Sequence, residues 1–258
     1  MSLKTKSIQS IFWTSIQQFG SQGVAFVVSI LLARLLTPAE YGLVAMILVF
    51  VQICETILDS GLSQSLIRSS NVNNEDYATV FYYNLGASII IYVLLYVTAG
   101  LIASFYNEPQ LTLLLQVLGL VVIIKAFSII QITKLTKALN FKTQTIIALP
   151  ALVGSAAIAL FMAFNNYGVW SLVGYRLSRE FFLTALLWFY TRWYPGLVFS
   201  VSKFRLHFKF GLNLLLSSLL NSIFNNIYTL VIGKYFSASQ LGYFNRADSL
   251  QKLPVQNL

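Results

Sequence analysis

Read by its hydrophobic and polar positions, the chain is a succession of long apolar runs separated by short polar stretches. A helix that crosses a bilayer needs about 20 apolar residues. Seven stretches qualify: Ile8–Ala33, Leu43–Leu66, Val80–Phe105, Leu111–Thr133, Ile146–Phe164, Trp170–Tyr190 and Phe210–Ile232. An eighth begins near Gly242, and the sequence ends at Leu258. This pattern predicts an all-α, polytopic integral membrane protein. Three of the connections, Arg34–Gly42, Tyr106–Gln110 and Asn165–Val169, are short and carry Pro, Gly or Asn, the residues that favour turns. The connections on the other side are longer and more basic. The longest, Thr191–Lys209, holds Pro195-Gly196 and then alternates basic with apolar residues from Lys203 to Phe210.

Composition agrees with the pattern. Hydrophobic residues make up 57% and charged residues 10%, against about a quarter charged in soluble proteins. The first apolar run is longer than a signal-peptide core and is not followed by a cleavage pattern, so it is expected to remain as a helix. The single cysteine, Cys54, lies inside an apolar run and excludes an intramolecular disulfide.

The net charge of +9 changes meaning once the charges are placed. With the N-terminus in the cytoplasm, Lys4, Lys6, Arg68, Lys134, Lys137, Lys142, Arg192, Lys203, Arg205 and Lys209 fall on the cytoplasmic side, and Arg34 and Lys234 fall outside. Such asymmetry orients membrane proteins and removes the need for a nucleic-acid partner. The basic-aromatic stretch around His207 is expected to lie on anionic headgroups. His207 stands alone there in sequence, which argues against a metal site.

A faint repeat runs through the chain. Ser29–Gly42 aligns without gaps to Thr229–Gly242, so that Arg34 matches Lys234, Thr37 matches Ser237, Glu40 matches Gln240 and Gly42 matches Gly242. Six crossings separate the segments, so the two helices run in one direction, as in transporters built from parallel repeats. The expected division is a six-helix lobe over residues 1–190, a basic cytoplasmic linker over 191–209, and the start of a second lobe over 210–258. The second lobe lacks most of its helices, which favours a piece of a longer chain over a half that dimerises.

Charges inside apolar spans are costly and face cavities or partners. Arg176, Arg179 and Glu180 fall in the middle of the sixth run at spacings of three and four, which puts them on one helical face. They form either a cationic wall for an anionic phosphate or a local Arg176–Glu180 pair that fixes packing. Glu55 and Asp59 make a second pair four apart. They could serve ion coupling or simply be hydrated, and Lys125 could neutralise one of them or line the same cavity. Tyr82, Tyr83, Trp170, Trp188, Tyr190, Trp193 and Tyr194 lie near helix ends, where an interfacial belt accounts for them. Gly20 and Gly23 suit close helix approach in the first span.

Five segments in order, Leu32–Met46, Asp59–Arg68, Ala103–Leu111, Gly168–Val173 and Ile232–Leu253, resemble the Wzx-like polysaccharide exporters of the multidrug/oligosaccharidyl-lipid/polysaccharide exporter superfamily. The resemblance implies a two-lobed, MATE-like transporter in a bacterial inner membrane. It implies movement of an undecaprenyl-diphosphate oligosaccharide from the inner to the outer leaflet, beside a polysaccharide polymerase and export machinery. On that view Arg176 and Arg179, and secondarily Lys125, meet the headgroup. Neither metal nor organic cofactor is required. The competing readings are a small-molecule exporter, a non-transporting scaffold, and a membrane-embedded glycosyltransferase or polymerase. The last lacks a DxD pair and sizeable soluble loops.

Overall fold

The computed structural model describes the backbone of residues 3–59 and 61–255, and the side chains of 9–59, 61–249 and 251. Ser60 and the side chains of Lys4, Lys6 and Lys252 lie outside the described residues. All regular structure among the described residues is helical: α1 (Leu3–Leu35), α2 (Pro38–Asp59), α3 (Leu62–Arg68), α4 (Asn74–Tyr106), α5 (Gln110–Leu118), α6 (Leu120–Ala126), α7 (Ile129–Lys137), α8 (Phe141–Phe164), α9 (Trp170–Thr191), α10 (Val201–Tyr235) and α11 (Ala238–Val255). Helices α1, α2, α4, α8 and α10 are long and apolar enough to cross a membrane, and the bent run from α5 to α7 makes a sixth. The molecule is an all-α, multi-pass membrane protein. Helix α9 has 22 residues, but Arg176, Arg179 and Glu180 make it less apolar than those six.

Local chemistry sets the helix starts. Ahead of α2, Thr37 N donates to Glu40 Oε2 at 2.7 Å and Glu40 N donates to Thr37 Oγ1 at 3.4 Å, a reciprocal cap that pairs two orphan donors. Asn73 and Asp76 do the same at the start of α4. Two of the expected spans are broken. The second divides into α2 and α3, where Gly61 adopts φ +65°; a Cβ there would meet Gly211 O of α10 at 2.8 Å. The fourth divides into α5, α6 and α7, with a bend of 42° before Ile129. Backbone groups freed inside a membrane must find partners. Trp188 Nε1 donates to Phe127 O at 3.0 Å, and Thr184 Oγ1 donates to Ile124 O at 3.3 Å. Both partners come from α9.

Packing places α9 along α8, α8 along α1, and α10 and α11 along α2. Val28 and Leu32 of α1, and Leu36 just after it, bury themselves with Ala156, Ala159 and Ala163 of α8. Small residues on one helix let the other approach closely. Gly20 contributes in the same way, since a Cβ there would lie 3.2 Å from the Leu149 side chain, whereas Gly23 faces open space. The expected aromatic belt is partly internal. Trp193 is buried against Tyr77 and Phe81, while Tyr190 and Tyr194 are exposed.

The basic-aromatic stretch differs from its sequence reading. Residues 201–209 are the first turns of α10, not a loop. Phe204 and Phe208, four apart, both pack on Tyr83, and Lys203 pairs with Glu75 and Asp76 at 3.3 and 2.8 Å. His207 is not alone. It is buried, with Nδ1 2.8 Å from Ser65 Oγ and Nε2 3.3 Å from Asp76 Oδ1. A hydrolytic triad has its serine at Nε2 and its carboxylate at Nδ1; here the order is reversed and all three side chains are buried. The arrangement ties α3, α4 and α10 together.

The repeat has a geometric counterpart. Ser237 and Gln240 cap α11 as Thr37 and Glu40 cap α2. A Cβ on Gly42 would lie 1.8 Å from Ala238 O, and a Cβ on Gly242 would lie 1.8 Å from Pro38 O. Positions 38 and 238, like 42 and 242, are matched by the repeat, so the α2–α11 contact is self-complementary about a local two-fold. Gly42→Ala and Gly242→Ala are each expected to lower stability by roughly 1–3 kcal/mol, the usual cost of overpacking, because the obstacle is backbone. Gly23→Ala is expected to cost nothing. Denaturation of the three purified variants in detergent checks the difference.

Candidate functional site

Glu55 lies buried near the end of α2, between two cations from other helices. Lys125 Nζ on α6 donates to Glu55 Oε2 at 2.7 Å, and Arg176 Nη2 on α9 donates to Oε1 at 3.1 Å. The cluster carries a net charge of +1. In a low-dielectric interior such charges are costly unless paired or hydrated, and Glu55 pairs with both cations. Arg176 Nε is buried and has no hydrogen-bond partner among the described residues.

A cavity of about 670 Å³ opens beside the cluster. Helix α2 supplies Gln52, Glu55, Thr56 and Asp59, α6 supplies Lys125, and α10 supplies Ser218, Ser222, Asn225 and Asn226. A second cavity of about 330 Å³ shares Gln52 and Asn226 with the first and is lined by Arg176, Tyr41 and Arg246. Asn226 Nδ2 donates to Gln52 Oε1 at 3.1 Å where the two cavities meet. The Arg246 guanidinium stacks 3.7 Å from the centroid of the Tyr41 ring, a cation–π contact. Three cations and a row of amides and hydroxyls therefore share one polar region inside an apolar bundle. Phosphate oxygens and sugar hydroxyls match those donors and acceptors.

The residues singled out in sequence separate in space. Arg176 is paired with Glu55 rather than with Glu180, which is buried and makes no ion pair among the described residues. Asp59 lines the same cavity as Glu55 but has a different partner, accepting from Ser63 Oγ. Arg179 does not share a cavity with Arg176. It lines a pocket of about 190 Å³ between α1, α8 and α9. The α10 stripe and Arg246 were not singled out by their sequence pattern. The stripe does carry a signal, since Ser218, Ser222, Asn225 and Asn226 recur at spacings of three and four within an apolar run.

Comparison with known proteins adds a frame. A family model described as polysaccharide biosynthesis protein matches residues 31–258. The chain is 26% identical over 248 residues to the succinoglycan biosynthesis transport protein ExoT of Rhizobium meliloti, covering 96% of this chain and 50% of that protein. It is 26% identical over 261 residues to the lipopolysaccharide biosynthesis protein WzxC of Escherichia coli, covering 100% and 53%. It is 30% identical over 260 residues to the teichuronic acid biosynthesis protein TuaB of Bacillus subtilis, covering 97% and 53%. The chain thus spans about half the length of the curated relatives it matches. No solved structure matches it.

Removing Glu55 leaves two cations facing each other, whereas removing Lys125 leaves an intact Arg176–Glu55 pair. Glu55→Gln is expected to cost about 3 kcal/mol, the low end for a broken buried pair, because Lys125 is 34% exposed. Lys125→Gln is expected to cost less than half as much. Chemical denaturation of the purified variants measures both.

Proposed function

This chain belongs to the polysaccharide biosynthesis protein family, and we propose that it forms part of a flippase for lipid-linked oligosaccharides. The carrying observation is the Lys125–Glu55–Arg176 cluster beside a polar cavity in a membrane-spanning bundle. A sugar-diphosphate head is too polar to enter hydrocarbon unaided and needs a hydrated, cationic path. Its lipid tail stays in the bilayer while the head follows that path. The names of the relatives support this reading. ExoT is called a transport protein, and all three relatives are named for the biosynthesis of a polymer or lipopolysaccharide.

In this mechanism Lys125 and Arg176 receive the diphosphate, which competes with Glu55 for both cations. Glu55 keeps the cations apart and oriented when no substrate is present, and it returns to them on release. The amides and hydroxyls of Gln52, Asn225, Asn226 and Ser222 meet the sugar. The chain performs transport without making or breaking covalent bonds. Its N-terminus faces the cytoplasm of a bacterial inner membrane, as the distribution of Lys and Arg supports. One lobe extends to residue 190 and a second starts at α10. In a protein of the relatives' length the lobes rock about the cavity, exposing it to each side in turn.

The test uses a strain deleted for the full-length gene. A membrane-impermeant sugar label is expected to find the oligosaccharide confined to the cytoplasmic leaflet, with surface polysaccharide lost. Short but outward-facing units would assign the protein to polymerisation instead. The Glu55→Gln/Lys125→Gln/Arg176→Gln triple variant, which removes the cations without leaving a buried carboxylate unpaired, is expected to lower surface polysaccharide about tenfold or more, the equivalent of about 1.4 kcal/mol, at unchanged protein level. Unaltered export in that variant would remove these residues from the mechanism.

A further inference from the structure

Arg179 is the mid-span cation that the central cluster does not use. It makes no ion pair among the described residues, and no carboxylate lines its pocket. A guanidinium held among apolar side chains without an anion is costly. Gln17 and Ser21 of α1 and Gln144 of α8 line the same pocket as Arg179, and the rest of its wall is apolar.

The pocket continues a longer feature. Gln9, Trp13, Gln17 and Ser21 recur every four residues and so form one stripe along α1. The single Thr145 hydroxyl of α8 lies 2.9 Å from Phe141 O of its own helix, 3.1 Å from Trp13 O and 3.4 Å from Gln17 Oε1, so α8 touches α1 along this stripe. At its other end a cavity of about 300 Å³ is lined by Gln9, Trp13 and Lys142, with Lys142 Nζ 5.6 Å from the centroid of the Trp13 ring. From Gln9 to Ser21 the stripe is about 18 Å long at the helical rise, close to the depth of one leaflet's hydrocarbon. The α1–α8 seam thus carries a cation at each end and polar groups between them.

We infer that this seam binds the phosphate of an anionic lipid, at Lys142 near the membrane surface and at Arg179 deeper in the bundle. The arginine fork matches phosphate oxygens in two places at once. The apolar walls accept the adjoining chain, while a pocket of about 190 Å³ takes a phosphate group rather than an oligosaccharide. Both bilayer phospholipids and polyprenyl carriers offer this chemistry. The inference stands on the seam's own geometry and does not depend on export.

Native mass spectrometry of the detergent-purified full chain tests it. Phosphatidylglycerol is compared with diacylglycerol, and undecaprenyl phosphate with undecaprenol, so that each pair differs at the phosphate. The phosphate-bearing lipid is expected to be retained preferentially, and Arg179→Gln or Lys142→Gln to weaken that retention about tenfold, as the loss of about 1.4 kcal/mol does. Arg179→Lys keeps the charge but loses the fork; an intermediate loss is expected, and this variant stands in if Arg179→Gln proves unstable. Preference confined to phosphatidylglycerol assigns the seam to bilayer lipid, preference confined to undecaprenyl phosphate assigns it to a carrier, and preference for both assigns it to lipid phosphate generally. Equal retention within both pairs, or a preference unchanged by the substitutions, overturns the proposal.

Discussion

A single carboxylate, Glu55, allows two cations to stand inside an apolar bundle, and the geometry of α2, α6 and α9 depends on it. Lys125 and Arg176 lie 70 and 121 positions away in sequence, yet both converge on the two oxygens of one side chain. Placing either cation in hydrocarbon without a counter-charge or water is costly. The ionic cluster therefore does more than join helices, because it keeps a positively charged wall available beside a cavity. A neutral core of the same volume would pack as well and could not attract a phosphate.

The same low-dielectric environment governs the backbone. The break within α5–α7 releases carbonyls that lipid cannot satisfy, and side chains from a distant helix meet them; the end of α3 is fastened in the same way. Trp188 and Thr184 reach the α5–α7 break from α9. Lys137 of α7 donates to Leu66 O and Ser69 O at the end of α3. The Ser65–His207–Asp76 arrangement adds a buried polar tie from α10. Helix breaks in this protein are thus places where the tertiary fold is fastened, and they surround the polar region.

The spans were legible because apolar length is a local property, and the predicted runs fall mostly on helix, two of them broken within the run. The caps at Thr37 and Ser237 were legible as matched residues in a weak repeat. The breaks were less so, since Phe127 sits within an apolar run and the partner of its carbonyl, Trp188, lies 61 residues away. Arg176 and Arg179 looked equivalent because they are three apart. At 3.6 residues per turn they still differ by about 60° in direction, enough at the edge of α9 to aim them into different cavities. The helix at 201–209 was hidden by the alternation of basic and apolar residues from Lys203 to Phe210, a period of two that belongs to a strand. The spacing of Phe204 with Phe208 and of Lys203 with His207 holds the helical signal. Arg246 gave no signal of its own, since its setting depends on Tyr41 and Ser29.

The reciprocal contact of Gly42 with Ala238 and of Gly242 with Pro38 has a mechanical meaning. Two backbone touching points related by a two-fold resist sliding, because a shift that relieves one compresses the other, but they permit a tilt. Glu55 lies 13 residues beyond Gly42, a lever arm of about 20 Å along α2. A tilt of about 10° at that fulcrum carries the far end of α2 by about 3–4 Å over such an arm, comparable to the length of an ion pair. One small pivot at the start of α2 thus has enough leverage to separate α10 from the charged wall while the bearing itself barely moves.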